Sequence, residues 1–129
     1  MEKSVTMDQL ETHITEAFAN RDLLNDSEYR KAVKETIACL DSGKLRVAEK
    51  HGTEWVVNEW TKQAILLYFG IMEMQEVEHG PFRYFDKIPV KNNFAELGVR
   101  VVPPACARFG SFIEKGAVLM PSWINIGAY

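Results

Sequence analysis

The sequence predicts an α+β chain, with a small helical amino-terminal unit and a short hairpin followed by the first coil of a parallel β-helix. Two periodicities predict it. Apolar residues recur at steps of three and four through the first forty positions, the spacing of a helix with one buried stripe. From Cys106 onward a period of six takes over. Size agrees: 129 residues, 47% apolar and 26% charged, make one ordinary domain or two very small ones, too apolar for disorder.

The first helix is expected over residues 7–21, with Leu10, Ile14, Ala17 and Phe18 as its buried stripe and Thr6 as its N-cap. The second is expected to open at Ser27 as cap, with Glu28 in the first turn. Its stripe is Tyr29, Val33, Ile37 and Leu40, and Asp41-Ser42-Gly43 stops it, Gly43 taking the left-handed C-terminal position. Two short helices cannot bury their stripes alone, so they must pack on each other and on the chain beyond residue 43.

Leu45, Val47 and Lys50 mark a short strand, residues 54–57 its return, and His51-Gly52-Thr53 the turn between. Helical spacing returns over 59–69 through Trp60, Ala64, Leu67 and Tyr68, and Gly70 is expected to end it. Residues 74–93 read as loop around Gly80-Pro81 and Pro89. Residues 94–97 read as one more helical turn. The unit boundary is placed so that 1–99 form the helical part and 100–129 the start of the coil.

Written in sixes from Cys106, the first positions are Cys106, Phe112, Val118 and Ile124, and the fifth are Gly110, Gly116, Ser122 and Ala128. In a parallel β-helix the apolar residue points into the prism and the small one lets the chain turn a corner. Four sixes make only about one and a third triangular coils, whereas a solenoid needs roughly three units for a continuous core. The chain is therefore expected to be the front part of something longer. The alternatives are a short gene product or a chain completed by a partner through its open strand edge.

Composition excludes several functions. The longest apolar run, from Ala64 to Met72, is nine residues, against about 20 for a membrane span. Residues 1–19 carry Glu2, Lys3, Asp8, Glu11 and Glu16 and lack the apolar stretch of a signal peptide, so a cytoplasmic protein is expected. A net charge of −3 and the absence of basic runs disfavour nucleic acid. Cys39 and Cys106 are expected to be free thiols, and the scattered His13, His51 and His79 offer no metal spacing.

Several blocks are distinctive together. Leu40-Asp41-Ser42-Gly43, Leu45-Arg46-Val47-Ala48-Glu49-Lys50, Trp55-Val56 and Trp60 resemble the amino-terminal domain of the tetrahydrodipicolinate N-succinyltransferases. So do Arg83-Tyr84-Phe85-Asp86-Lys87-Ile88-Pro89, Arg100-Val101-Val102-Pro103-Pro104-Ala105, Val118-Leu119-Met120-Pro121-Ser122 and Asn125-Ile126-Gly127-Ala128-Tyr129. The resemblance covers nearly the whole chain in order.

It implies a cytoplasmic bacterial enzyme of diaminopimelate and lysine biosynthesis that moves succinyl from succinyl-CoA to the amino group of tetrahydrodipicolinate. It further implies a homotrimer with a left-handed β-helix and active sites between neighbouring β-helices. The left hand comes from the resemblance, since parallel crossovers otherwise favour the right. The sequence departs from the family in stopping at Tyr129, before the coil that carries a catalytic aspartate and those that carry the CoA groove. Gln63 and Gly70 also stand where basic residues are expected. Accordingly no catalytic, cofactor-binding or metal residue is expected in this chain, which alone should be inactive. The rival reading is a non-catalytic assembly or binding module.

Acyl transfer from a thioester to an amine needs a base, oxyanion donors and cationic clamps for a dicarboxylate substrate. Arg100 is the candidate clamp: the residues alone favour a surface or domain-interface ion pair, and the resemblance reverses that, implying substrate contact in the intact enzyme. Arg108 reads as a solvated side chain, Asn125 as a structural turn or ladder residue, and Asp86 and Lys87 as surface residues. Trp55, Trp60 and Cys106 read as core, and His13 as exposed.

Overall fold

The structure is a computed structural model that describes residues 5–129. Glu2 and Lys3 lie outside the described residues. Helix α1 spans Met7–Ala19 and opens on the expected Thr6 cap. The Gln9 N–H donates to Thr6 Oγ1 (3.3 Å), and the Thr6 N–H donates to Gln9 Oε1 (2.9 Å), so two orphan donors are satisfied reciprocally. A 3-10 turn over Arg21–Asn25, which the hydrophobic pattern does not mark, leads into α2, Ser27–Asp41. The cap of α2 is Asp26 and not Ser27: its carboxylate accepts from the Glu28 N–H at 2.9 Å. A carboxylate is the stronger acceptor at the positive end of a helix dipole. Gly43 follows with φ +74°, as expected.

Helix α3, Glu59–Ile71, continues through Gly70. The reason is packing. Ile71 is 8% exposed and extends the stripe of Ala64, Leu67 and Tyr68 by one turn. Burying such a side chain stabilises by about 1.5–3 kcal/mol, which outweighs the roughly 1 kcal/mol that a helical glycine costs. The three helices pack pairwise around Ile14, Ala17, Val33, Ile37, Leu40, Ala64 and Leu67. Thr36, fully buried among them, donates its hydroxyl to the Ala32 carbonyl at 2.8 Å.

Two antiparallel hairpins flank α3. Strands β1 (Ala48–His51) and β2 (Glu54–Val57) meet through Gly52-Thr53, close to expectation. Trp55 is nevertheless 62% exposed on this hairpin and not in the core, whereas Trp60 packs against the helices. Residues 75–86 overturn the expected loop. They form β3 (Gln75–His79) and β4 (Phe82–Asp86), paired from Gln75↔Asp86 to His79↔Phe82. Gly80-Pro81 is itself the two-residue reversal, with Gly80 at φ +59°. The punctuation that reads as a break is a hairpin turn.

After α4, Phe94–Leu97, residues 100–128 wind once round and pair with themselves in parallel. Strand β5 (Arg100–Val101) pairs with β7 (Val118–Leu119), and β6 (Cys106–Ala107) pairs with β8 (Trp123–Ile124). A third closure joins the Gly127 N–H to the Gly110 carbonyl (2.8 Å) and the Phe112 N–H to the Ala128 carbonyl (2.9 Å).

The six-residue spacing is real, but its inward positions differ by one from the expected frame. Val101, Ala107, Ile113 and Leu119 share the interior cluster, joined by Ile124. Val118 is 52% exposed, and Cys106 is half-buried on the outer wall. The offset shortens from Val101↔Leu119 to Ala107↔Ile124, so the last six loses a residue and Gly127, at φ +89°, turns the corner expected of Ala128.

Candidate functional site

The seam between hairpin β3–β4 and the wound segment gathers a cluster of polar side chains. Asp86 ends β4, Arg108 follows β6, and Asn125 follows β8. Arg108 Nη2 donates to Asp86 Oδ2 at 2.9 Å, and Nη1 donates to Asn125 Oδ1 at 3.2 Å. The same Asn125 oxygen accepts the Ile126 N–H at 3.0 Å, so Asn125 serves the expected turn and carries an arginine as well. Arg108 is not a solvated side chain. It is 16% exposed, with its guanidinium carbon 5.3 Å from the Trp123 ring centroid and 5.5 Å from that of Phe69. Among the described residues its buried Nε has no partner.

Lys87, next to Asp86, turns the other way and donates from Nζ to the Phe69 carbonyl at 2.9 Å. Sequence neighbours that resemble an acid–base pair thus serve two different elements. Above them Met72, Val77, Tyr84, Ile88, Cys106 and Trp123 line a cavity of about 250 Å³. Burial pushes the Cys106 thiol pKa up, with Arg108 opposing. The thiol is therefore weakly acidic, the opposite of an activated nucleophile.

Arg100 stands apart. It opens β5 opposite Val118, and its N–H donates to the Ala117 carbonyl at 3.1 Å. Val101 turns inward to the apolar cluster, while Arg100 is exposed. Among the described residues its guanidinium makes no hydrogen bond or ion pair. His13, expected to be exposed, is half-buried: Nδ1 donates to the Gln9 carbonyl at 2.7 Å, and Nε2 lies 3.5 Å from Glu28 Oε1. No group of His, Cys, Asp and Glu among the described residues is arranged for a metal ion, and no described helix is long and apolar enough to cross a membrane.

A second polar cluster, whose pairing went unmarked in the sequence, ties the helices to the wound segment. Lys91, whose side chain is 2% exposed, donates to Asp41 Oδ1 (2.6 Å), to the Ser111 carbonyl (2.7 Å) and to the Asp41 carbonyl (3.3 Å). Asp41 Oδ1 also accepts the Gly110 N–H at 2.8 Å. The end of α2 is thereby tied to the corner of the wound segment. Fifty residues separate Lys91 from Asp41. No local pattern announces such a pair.

A family model described as "Tetrahydrodipicolinate N-succinyltransferase N-terminal" matches residues 9–71. Curated relatives extend the match to 95% of the chain. The 2,3,4,5-tetrahydropyridine-2,6-dicarboxylate N-succinyltransferase of Photorhabdus laumondii is 50% identical over 132 residues, and the chain covers 48% of its length. The enzymes of that name from Sodalis glossinidius and Acinetobacter baylyi are 47% and 46% identical, with 48% and 49% of their lengths covered. The chain thus spans about half the length of the curated relatives it matches. It belongs to the tetrahydrodipicolinate N-succinyltransferase family and corresponds to the amino-terminal portion of its members.

Proposed function

We propose that this chain is the amino-terminal part of an acyltransferase that moves succinyl from succinyl-CoA to the amino group of tetrahydrodipicolinate, in lysine and diaminopimelate biosynthesis. The similarity over 95% of the chain, to relatives named for that reaction, carries the reading. In it, residues 1–99 are the helical unit and residues 100–129 the first coil of a left-handed parallel β-helix. Parallel self-pairing at three places supports the coil. The whole enzyme is a cytoplasmic homotrimer, with succinyl-CoA as co-substrate and its base and CoA site outside this chain.

Arg100 is the substrate clamp in this reading. Its support is position and availability: it begins the coil, is exposed, and has no internal carboxylate to satisfy among the described residues. A guanidinium forks around a carboxylate in two parallel hydrogen bonds. Hydrogen bonds to charged groups contribute about 1.5–3 kcal/mol, so losing the clamp should weaken substrate binding by roughly ten- to a hundredfold.

The test joins residues 1–129 to the remaining half of the Photorhabdus laumondii relative and measures CoA release. The chimera should be active and the 129-residue chain alone inactive. Arg100→Ala in the chimera should raise KM for the dicarboxylate, with Arg100→Lys recovering only part. Transfer by the chain alone, or a folded but inactive chimera, would overturn the reading. An assembly role is the second reading, favoured by Val118, Met120 and Trp123, which are 52%, 62% and 56% exposed on the outer wall. A single discrete oligomer of the chain on size exclusion, with an inactive chimera, would select it.

A further inference from the structure

The cavity beneath hairpin β3–β4 has a defined size and a defined electrical character. Val77 and Tyr84 line it from the hairpin, Ile88 and Pro89 from the chain that follows, and Cys106 and Trp123 from the wound segment. Asp86, Lys87 and His79 line it too: Asp86 is engaged with Arg108, Lys87 with the Phe69 carbonyl, and the His79 ring lies 6.0 Å from that of Tyr84. An ionic guest would give up part of its water without gaining a counter-charge. A neutral guest meets mainly apolar surface. Tyr84 and Trp123 remain 46% and 56% exposed, so ring surface at the slot is uncovered by the chain itself.

Volume narrows the guest further. An apolar cavity of about 150 Å³ takes benzene, and pockets for drug-sized ligands begin near about 300 Å³. At about 250 Å³ this cavity admits one ring or two fused rings.

We propose that the cavity between hairpin β3–β4 and the wound segment is a binding slot for a neutral aromatic ring. The slot stands independently of the acyl-transfer reading, because every residue in it belongs to this chain.

Indole is the probe, and Cys106 is the reporter. In the Cys39→Ser chain Cys106 is the remaining thiol and lines the slot. Saturating indole should slow its labelling by a disulfide reagent at least fivefold. Val77→Trp, which fills the slot with its own ring, should label slowly without indole and show no further protection. A labelling rate unaffected by indole, or protection that persists in Val77→Trp, overturns the proposal. In the unsubstituted chain, indole should give saturable NMR shifts confined to the residues that line the slot, Met72, Val77, Tyr84, Ile88, Cys106 and Trp123 among them. Shifts elsewhere, or shifts that never saturate, overturn it equally.

Discussion

Lys91 presents three N–H donors to three acceptors, and none is left over. Satisfaction of that kind is what allows an ammonium to be buried at all. Removing the cation leaves the Asp41 carboxylate with only the Gly110 N–H. Lys91→Met should therefore destabilise the chain by about 3–5 kcal/mol, read as a lower urea midpoint. The double variant Lys91→Met with Asp41→Asn should cost less than the sum of the single changes. Tyr29 gives a second residue-scale test. Its hydroxyl donates to Glu16 Oε2 at 2.7 Å, and that hydrogen bond to a carboxylate raises its pKa. Burial raises that of Tyr68. A folded pKa above the unfolded value means stability that is complete below about pH 10 and falls as the pH rises through the folded pKa. Urea midpoints should accordingly drop in that alkaline window, and less steeply in Tyr29→Phe.

Among the elements, the helices were the most legible. Caps and stripes are local, and Thr6, Gly43 and the run Leu10–Ile14–Ala17 behaved as their chemistry dictates. Errors arose where tertiary burial decided. Ile71 carried α3 past Gly70, and the alternation around Val77 and Tyr84 made strands of residues flanking a Gly-Pro pair. The six-residue period was legible, but its phase was not. Both the first and second positions of each six are largely apolar, and only packing decides which of them faces inward. Arg108 was unreadable because its carboxylate partner lies 22 residues away. Glycines in the wound segment offer a test with an internal control. A Cβ on Gly110 (φ +92°) would lie 2.6 Å from Ile126 and 3.0 Å from Ile37, whereas one on Gly116 (φ +90°) meets open space. Gly116→Ala should cost about 1–2 kcal/mol for the left-handed backbone alone, and Gly110→Ala a further 1–3 kcal/mol or so for crowding. Thermal melts of the two variants should separate accordingly.

At the scale of the whole molecule, the helical part and the wound segment share one core. Ile126, 8% exposed, belongs to the cluster built by Ile37, Leu40 and Leu67, and Phe109 packs against it. Residues 1–99 expressed alone should therefore give broad, non-cooperative urea unfolding, while residues 1–129 unfold in one transition. A sharp transition of equal midpoint in both would contradict this.

The Lys91 tie reaches from the third residue before α4 back to the end of α2 and forward to Ser111. An engineer wishing to borrow the three-helix bundle as a fusion tag would find no clean place for the scissors. Severed after residue 99, the borrowed piece would keep the Lys91–Asp41 pair but lose the Ser111 carbonyl and the Gly110 N–H that complete it, and would carry a greasy flank into its new host.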